Sequence, residues 1–188
     1  MNKKSIGVID YGSGNLRSVC KALEVAGVTP SLVTAATQLG DVDGIVVPGQ
    51  GHFHQCAANL RASGMWDSVR EWTLEGRPYL GICLGYQLLF ESSEESPGVP
   101  GLGILKGRVV RFPSGSLKVP HMGWNRVRQS KPHAMWRDID NNGHFYFVHS
   151  YFVAPDAPSE IVGEADYPTP FCAAIAHKNV FAVQFHPE

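Results

Sequence analysis

Along the first half of the chain, short apolar runs alternate with stretches whose hydrophobic residues return every three or four positions. Residues 5–10 (Ser-Ile-Gly-Val-Ile-Asp) read as a buried strand, 15–26 as a helix closed by Gly27, and 31–33 as a short strand. Residues 44–47 and 79–83 are further strand-like runs. Between them, in segment 53–76, Leu60, Met65, Val69, Trp72 and Leu74 are spaced as in one or two helices that cover a sheet. Strands separated by helices predict an α/β fold, an open, mostly parallel, doubly wound sheet with helices on both faces.

After Glu91 the texture changes. Segment 92–103 is rich in Ser, Glu, Pro and Gly, and short strand-like runs come after it at 107–112, 124–127, 145–151, 160–164, 171–177 and 180–185. They predict an antiparallel portion appended to the parallel sheet in the C-terminal half, with Lys178-Asn179 as a tight hairpin between the last two runs. A chain of 188 residues accommodates one well-buried core, so the expectation is a single domain over residues 1–188.

Charge narrows the partners. Sixteen Lys and Arg nearly balance 17 Asp and Glu, a net charge of −1, which leaves no overall field for nucleic acid or an anionic membrane. The longest apolar runs fall well short of the ~20 residues of a membrane span. Met1-Asn2-Lys3-Lys4 leads straight into a strand rather than into the core of a signal peptide, so a cytoplasmic protein is expected. Four cysteines (Cys20, Cys56, Cys83, Cys172) are widely spaced without a Cys-x-x-Cys pair, which predicts free thiols.

One of those thiols is singled out by its setting, Tyr79-Leu80-Gly81-Ile82-Cys83-Leu84-Gly85-Tyr86-Gln87. An apolar run that stops at a cysteine between two glycines and then turns helical describes a sharp strand-to-helix turn that presents a nucleophile. The strained backbone of such a turn needs small neighbours, here Gly81 and Gly85, and the N–H groups beyond it favour an anion. A buried structural thiol is the alternative for Cys83 taken alone.

The end of the sequence shifts that balance. Phe181-Ala182-Val183-Gln184-Phe185 is a strand pattern that runs into His186-Pro187-Glu188, and the proline keeps its neighbour extended so that His186 and Glu188 project to one side. A carboxylate that fixes an imidazole, and an imidazole that exchanges a proton with a thiol, make a nucleophile, base and acid triad. Cys83, His186 and Glu188 are therefore the catalytic candidates.

An attacked carbonyl also needs donors for its developing oxyanion. The N–H of Leu84 is one natural donor. A second could come from Pro48-Gly49-Gln50-Gly51, where backbone at Gln50 or Gly51 could turn outward, although an ordinary strand-end turn reads the same way. Tyr11-Gly12-Ser13-Gly14-Asn15 lacks the third glycine of a dinucleotide fingerprint and has no Gly-Lys-Ser/Thr, so it is not assigned to nucleotide. His52-Phe53-His54-Gln55-Cys56 has no matching second cluster, so no metal is assigned and no cofactor is expected. Pro120-His121-Met122-Gly123-Trp124-Asn125 fits core packing and a partner anchor equally well.

Taken together and in order, Pro48-Gly49-Gln50-Gly51, Gly81-Ile82-Cys83-Leu84-Gly85-Tyr86-Gln87 and His186-Pro187-Glu188 resemble the class I (triad) glutamine amidotransferases. Asp10-Tyr11-Gly12-Ser13-Gly14-Asn15-Leu16-Arg17-Ser18, the Pro120 to Asn125 motif and Tyr146-Phe147-Val148-His149-Ser150-Tyr151 resemble its histidine-pathway branch. There, a glutaminase subunit feeds ammonia to a separate (β/α)8 cyclase subunit that makes imidazole glycerol phosphate.

The resemblance implies that Cys83 attacks the side-chain amide of L-glutamine and forms a γ-glutamyl thioester. It implies that Gly51, Gln87, Glu95 and Ser150 line the glutamine site, and that Asn15, His121, Met122 and Trp124 face the cyclase in a heterodimer. Gln50 stands where a small aliphatic residue is also common. Family members usually continue beyond the Glu with a basic residue and a short apolar tail; either such a tail follows Glu188, or truncation there would put a terminal carboxylate beside His186. The alternatives are a glutaminase subunit for anthranilate or pyridoxal phosphate synthesis, a noncatalytic regulatory subunit, and a cysteine hydrolase on a similar sheet.

Overall fold

The computed structural model describes residues 4–115 and 117–188. Residues 1–3, expected to lead directly into the first strand, lie outside the described residues. The first half runs β1 (Ser5–Ile9), α1 (Leu16–Val25), β2 (Thr29–Val33), β3 (Gly44–Val47), α2 (Phe53–Ala62), α3 (Trp66–Leu74), β4 (Tyr79–Ile82) and a single helical turn, α4 (Leu84–Gln87). The second half is nearly all strand: β5 (Ser92–Ser93), β6 (Gly107–Arg111), β7 (His121–Gln129), β8 (Gly143–His149), β9 (Tyr151–Pro155), β10 (Ile161–Asp166), β11 (Pro170–His177) and β12 (Val180–Val183).

All of these strands join one mixed sheet, ordered β2-β1-β3-β4-β12-β11-β10-β7-β8, with β9, β6 and β5 branching from β11. From β2 to β12 the pairing is parallel, and from β12 onward it is antiparallel. The change of direction comes from the Lys178-Asn179 hairpin, where Lys178 takes a positive φ of 50° and Asn179 donates to the carbonyls of Thr73 and Arg77. This is the mixed α/β sheet that the sequence pattern predicts.

Strand alternation explains why helices settle on both faces. Leu23 and Ala26 at the end of α1 lie beside Ile6, Leu80 and Phe181 on one face. On the other, Gly81 meets the carbonyl of Gly85, and Trp72 of α3 donates its indole N–H to Pro78. β3 and β4, covered on both sides, are apolar almost throughout and essentially buried.

Two details depart from the sequence reading. Leu74, expected to cover the sheet, is 57% exposed. Val69, Trp72 and Thr73 already fill the inward side of α3, and Leu74 lies about 200° around the helix from Trp72. The run 145–151 is not one strand: β8 ends at His149, and the chain turns at Ser150 so that β9 pairs with β6 and β11 instead.

Candidate active site

The register of the parallel strands brings the candidate residues to one edge. Ile82 of β4 pairs with Val183 of β12, and the Cys83 amide donates to the Val183 carbonyl at 2.9 Å. Cys83 therefore succeeds β4 at the level where β12 runs into Gln184-Phe185-His186. Val47 of β3 pairs with Gly81, which sets Pro48-Gly49-Gln50-Gly51 beside the cysteine, and β1 delivers the Tyr11 to Asn15 loop to the same edge. Open α/β sheets carry their ligands beyond these carboxyl ends.

Cys83 is buried and adopts φ 54°, ψ −108°, a left-handed-side conformation that a non-glycine residue rarely takes. Its neighbours show how it is held there. A Cβ at position 85 would come within 1.8 Å of the Val47 carbonyl oxygen, and one at 81 within 2.9 Å of the Gly85 oxygen. The expected small residues are thus required by contact. α4 is only four residues long, so no long helix dipole stands behind the thiol.

His186 is held by its own backbone, which donates to Tyr146 of β8 at 3.0 Å, and by its ring, whose Nδ1 lies 3.0 Å from Glu188 Oε1. Both side chains are largely buried, with relative exposures of 11% and 6%. Burial opposes charge on this imidazole, but the Cys83 sulfur and the Glu188 carboxylate outweigh it and raise the His186 pKa to about 10. With Nδ1 committed to Glu188, Nε2 is left without a hydrogen-bond partner.

Two of the three oxyanion candidates are occupied. The Leu84 N–H points at the Gly49 carbonyl at 3.4 Å, and the Gln50 N–H donates to the Ser13 hydroxyl at 3.1 Å. One peptide unit, Gly49–Gln50, thus spans from the nucleophile turn to Ser13. The Ser13 hydroxyl returns a bond to the Gln50 carbonyl at 2.9 Å, and Tyr11 donates to Pro48 at 2.6 Å. Gly51 is exposed with φ 95°. Ser13 and Tyr11 are additions to the site; their only sequence signal is a glycine-flanked loop after the first strand.

The residues expected to hold an amino acid fall into two groups. Gln87, fully buried, donates Nε2 to the Tyr151 carbonyl at 3.0 Å and to Gln184 Oε1 at 2.9 Å, while its own Oε1 has no partner. Ser150, next to Tyr151, accepts from Phe112 through its carbonyl. Glu95 Oε2 accepts from the Phe53 amide at 2.8 Å, two residues after Gly51, and its Oε1 lies 3.8 Å from His52. The Cys56 sulfur lies 3.2 Å from the Ser13 hydroxyl, and among the described residues no three His, Cys, Asp or Glu side chains gather as a metal site would need.

A cleft of about 320 Å³ opens beside His186 and Glu188, lined also by Asn15, Gln50, Trp124, Tyr146 and Val148. Trp124 is 72% exposed and Met122 62%, and with Val148 they form an outward apolar face on β7 and β8. Asn15 is also exposed and caps α1. His121 corrects the expectation: alternation along β7 turns it inward, where it is buried and stacked on Tyr167 and Phe147. Burial pushes its pKa down to about 4 and that of His149 down to about 3.

Residues 7–188 match the family described as "Glutamine amidotransferase class-I", and the chain belongs to that family. Within it, the chain is similar to proteins called "Imidazole glycerol phosphate synthase subunit HisH". The one from Nitrosococcus oceani is 52% identical, with 98% of this chain and 90% of that protein covered. The one from Aromatoleum aromaticum is 50% identical, covering 97% and 90%. Among solved structures, a "glutamine amidotransferase" superposes with a TM-score of 0.77 at 22% identity, covering 97% of this chain and 89% of that one. PurLQS from Thermotoga maritima also gives 0.77, at 21% identity with 99% and 88% covered; at such identities these two speak for the fold alone. Among the described residues no helix is long and apolar enough to cross a membrane.

Proposed function

We propose that the chain is the glutaminase subunit of an imidazole glycerol phosphate synthase, hydrolysing L-glutamine and handing the ammonia to a (β/α)8 cyclase subunit in histidine biosynthesis. The observation that carries the chemistry is the alignment of Cys83 and the His186–Glu188 pair on adjacent strand ends. The half-identical relatives support the pathway, because their name states the same enzyme.

The Cys83 sulfur attacks the side-chain carbonyl carbon of glutamine, and the C=O electron pair moves to oxygen. The Leu84 N–H serves that oxyanion once the Gly49–Gln50 peptide turns over, which removes the Gly49 carbonyl and brings the Gln50 N–H to the same side. Collapse breaks the C–N bond as His186 gives its proton to the leaving nitrogen, yielding ammonia and a γ-glutamyl thioester. The raised pKa, to about 10 while the Cys83 sulfur is free, keeps His186 protonated as attack begins. Neutral His186 then takes a proton from water, which attacks the thioester and releases glutamate and Cys83.

The unpartnered Oε1 of Gln87 and the half-free carboxylate of Glu95 offer acceptors for the α-ammonium of glutamine, with backbone at Gly51 and Ser150 completing the site. Met122, Trp124 and Asn15 form the cyclase face, and the cleft that Asn15 and Trp124 share with His186 and Glu188 gives ammonia a route toward that partner. The reading is tested by glutamate release from wild type and Cys83→Ser, each with and without a cyclase subunit and its nucleotide. Release that needs both the thiol and the liganded cyclase is expected; normal turnover by the serine variant refutes the mechanism.

A further inference from the structure

Gln184 is fully buried between two apolar neighbours at the end of β12, and the assigned triad does not use it. Its orientation is set by a chain of hydrogen bonds that can be polarised in only one way. The Tyr151 carbonyl is an acceptor, so Gln87 must present Nε2 to it. The same Nε2 lies 2.9 Å from Gln184, which must therefore answer with Oε1. That leaves Gln184 Nε2 on the other side, 3.7 Å from the Cys83 sulfur.

The far side of the Tyr151 carbonyl agrees. His149 Nδ1 donates to it at 2.8 Å, so His149 Nε2 accepts from His121 Nδ1 at 3.1 Å, and His121 Nε2 accepts from Asn125 Nδ2 at 3.3 Å. Asn125 Nδ2 also donates to the Asp166 carbonyl at 3.0 Å, so backbone acceptors at two separate points demand the same polarity. The depressed pKa values of both histidines keep them neutral, as this tautomer chain requires.

We infer that Gln184 is a further catalytic residue, a fixed N–H donor to the Cys83 sulfur. The inference rests on Cys83 being the nucleophile. A sulfur anion accepts a hydrogen bond better than a neutral thiol or a thioester sulfur does. The donor therefore favours the attacking thiolate and, in the second half-reaction, the thiolate that leaves as water adds to the thioester. Gln87 couples this donor to the substrate site proposed above, because the amide that holds Gln184 in place keeps its own buried Oε1 unpartnered.

The test replaces the amide with a group of similar length that has no N–H, Gln184→Met, and tracks haloacetamide alkylation of Cys83 against pH, with the modified site located by mass spectrometry. The alkylation midpoint should rise by about one pH unit, with about tenfold slower alkylation below it. An unchanged midpoint in a natively folded variant overturns the assignment. Should the variant not fold, the side-chain NH2 resonance of Gln184 in the unmodified chain decides: it should titrate with the Cys83 midpoint, and a flat resonance overturns the proposal. Glutamate release from Cys83→Ser separates this from a failure of the nucleophile itself.

Discussion

Replacing Glu188 with Gln keeps the volume and removes the charge beside His186. The carboxylate sits 3.0 Å from His186 Nδ1, and both side chains are largely screened from water. Opposite charges about 4 Å apart attract by about 4 kcal/mol at an effective dielectric constant of about 20, equivalent to roughly three pH units. Because Cys83 also raises the His186 pKa of about 10, Glu188 supplies only part of the shift, and its loss should lower that pKa by about one to two units. The glutamine amide can also present N–H to Nδ1 and so select the wrong tautomer.

The substitution has two readouts. The basic limb of glutamate release, measured with the liganded cyclase, should move toward acid by about one to two pH units, and kcat should fall about 10²–10⁴-fold. The proton also links to stability with a definite sign. The folded pKa of about 10 lies above the ordinary 6.5, so this stabilisation is complete below about pH 6.5 and is lost as pH rises through about 10. Thermal unfolding of wild type against Glu188→Gln should therefore show a gap that is wide at neutral pH and closes in alkali. A basic limb and a kcat indistinguishable from wild type would refute the orienting and charge-holding role.

Gly85→Ala should be disruptive out of proportion to one methyl group, because its Cβ would lie 1.8 Å from the Val47 oxygen. Overpacking against backbone costs about 1–3 kcal/mol or more, and each kcal/mol lowers Tm by about 2–4 °C in a chain of this size; a calorimetric Tm equal to wild type would contradict the contact argument. Trp124→Ala should weaken titration of the cyclase subunit about 30-fold, as loss of a central anchor of about 2 kcal/mol does. The same change should leave Tm within the range of a surface substitution, since Trp124 is mostly exposed. Undiminished cyclase affinity would move the docking face elsewhere.

A physical division separates the legible features from the rest. β3 and β4 are uninterrupted apolar runs between turn residues, and Gly81-Ile82-Cys83-Leu84-Gly85 encodes its own strained turn, so these features are local and can be read from the sequence. Leu74 and His121 escape such reading because their side depends on which neighbours already fill the interior, and one residue of helix or strand rotation moves a side chain from core to solvent. The grip of Ser13 on the Gln50 peptide and the bond from Gln184 to Cys83 join residues 37 and 101 positions apart. No spacing rule reaches that far. The one hint is a polar glutamine inside an otherwise buried strand end, which calls for a partner without naming it.

Carriage of the glutamyl group by the Cys83 sulfur is the step on which the proposed chemistry turns. Its most direct test is acid quenching of the chain during turnover of glutamine with the liganded cyclase, and then mass spectrometry of the peptide that holds Cys83. A γ-glutamyl adduct on Cys83, lost on treatment with hydroxylamine, is the predicted result. Glutamate formation at the normal rate with Cys83 never acylated would contradict the account.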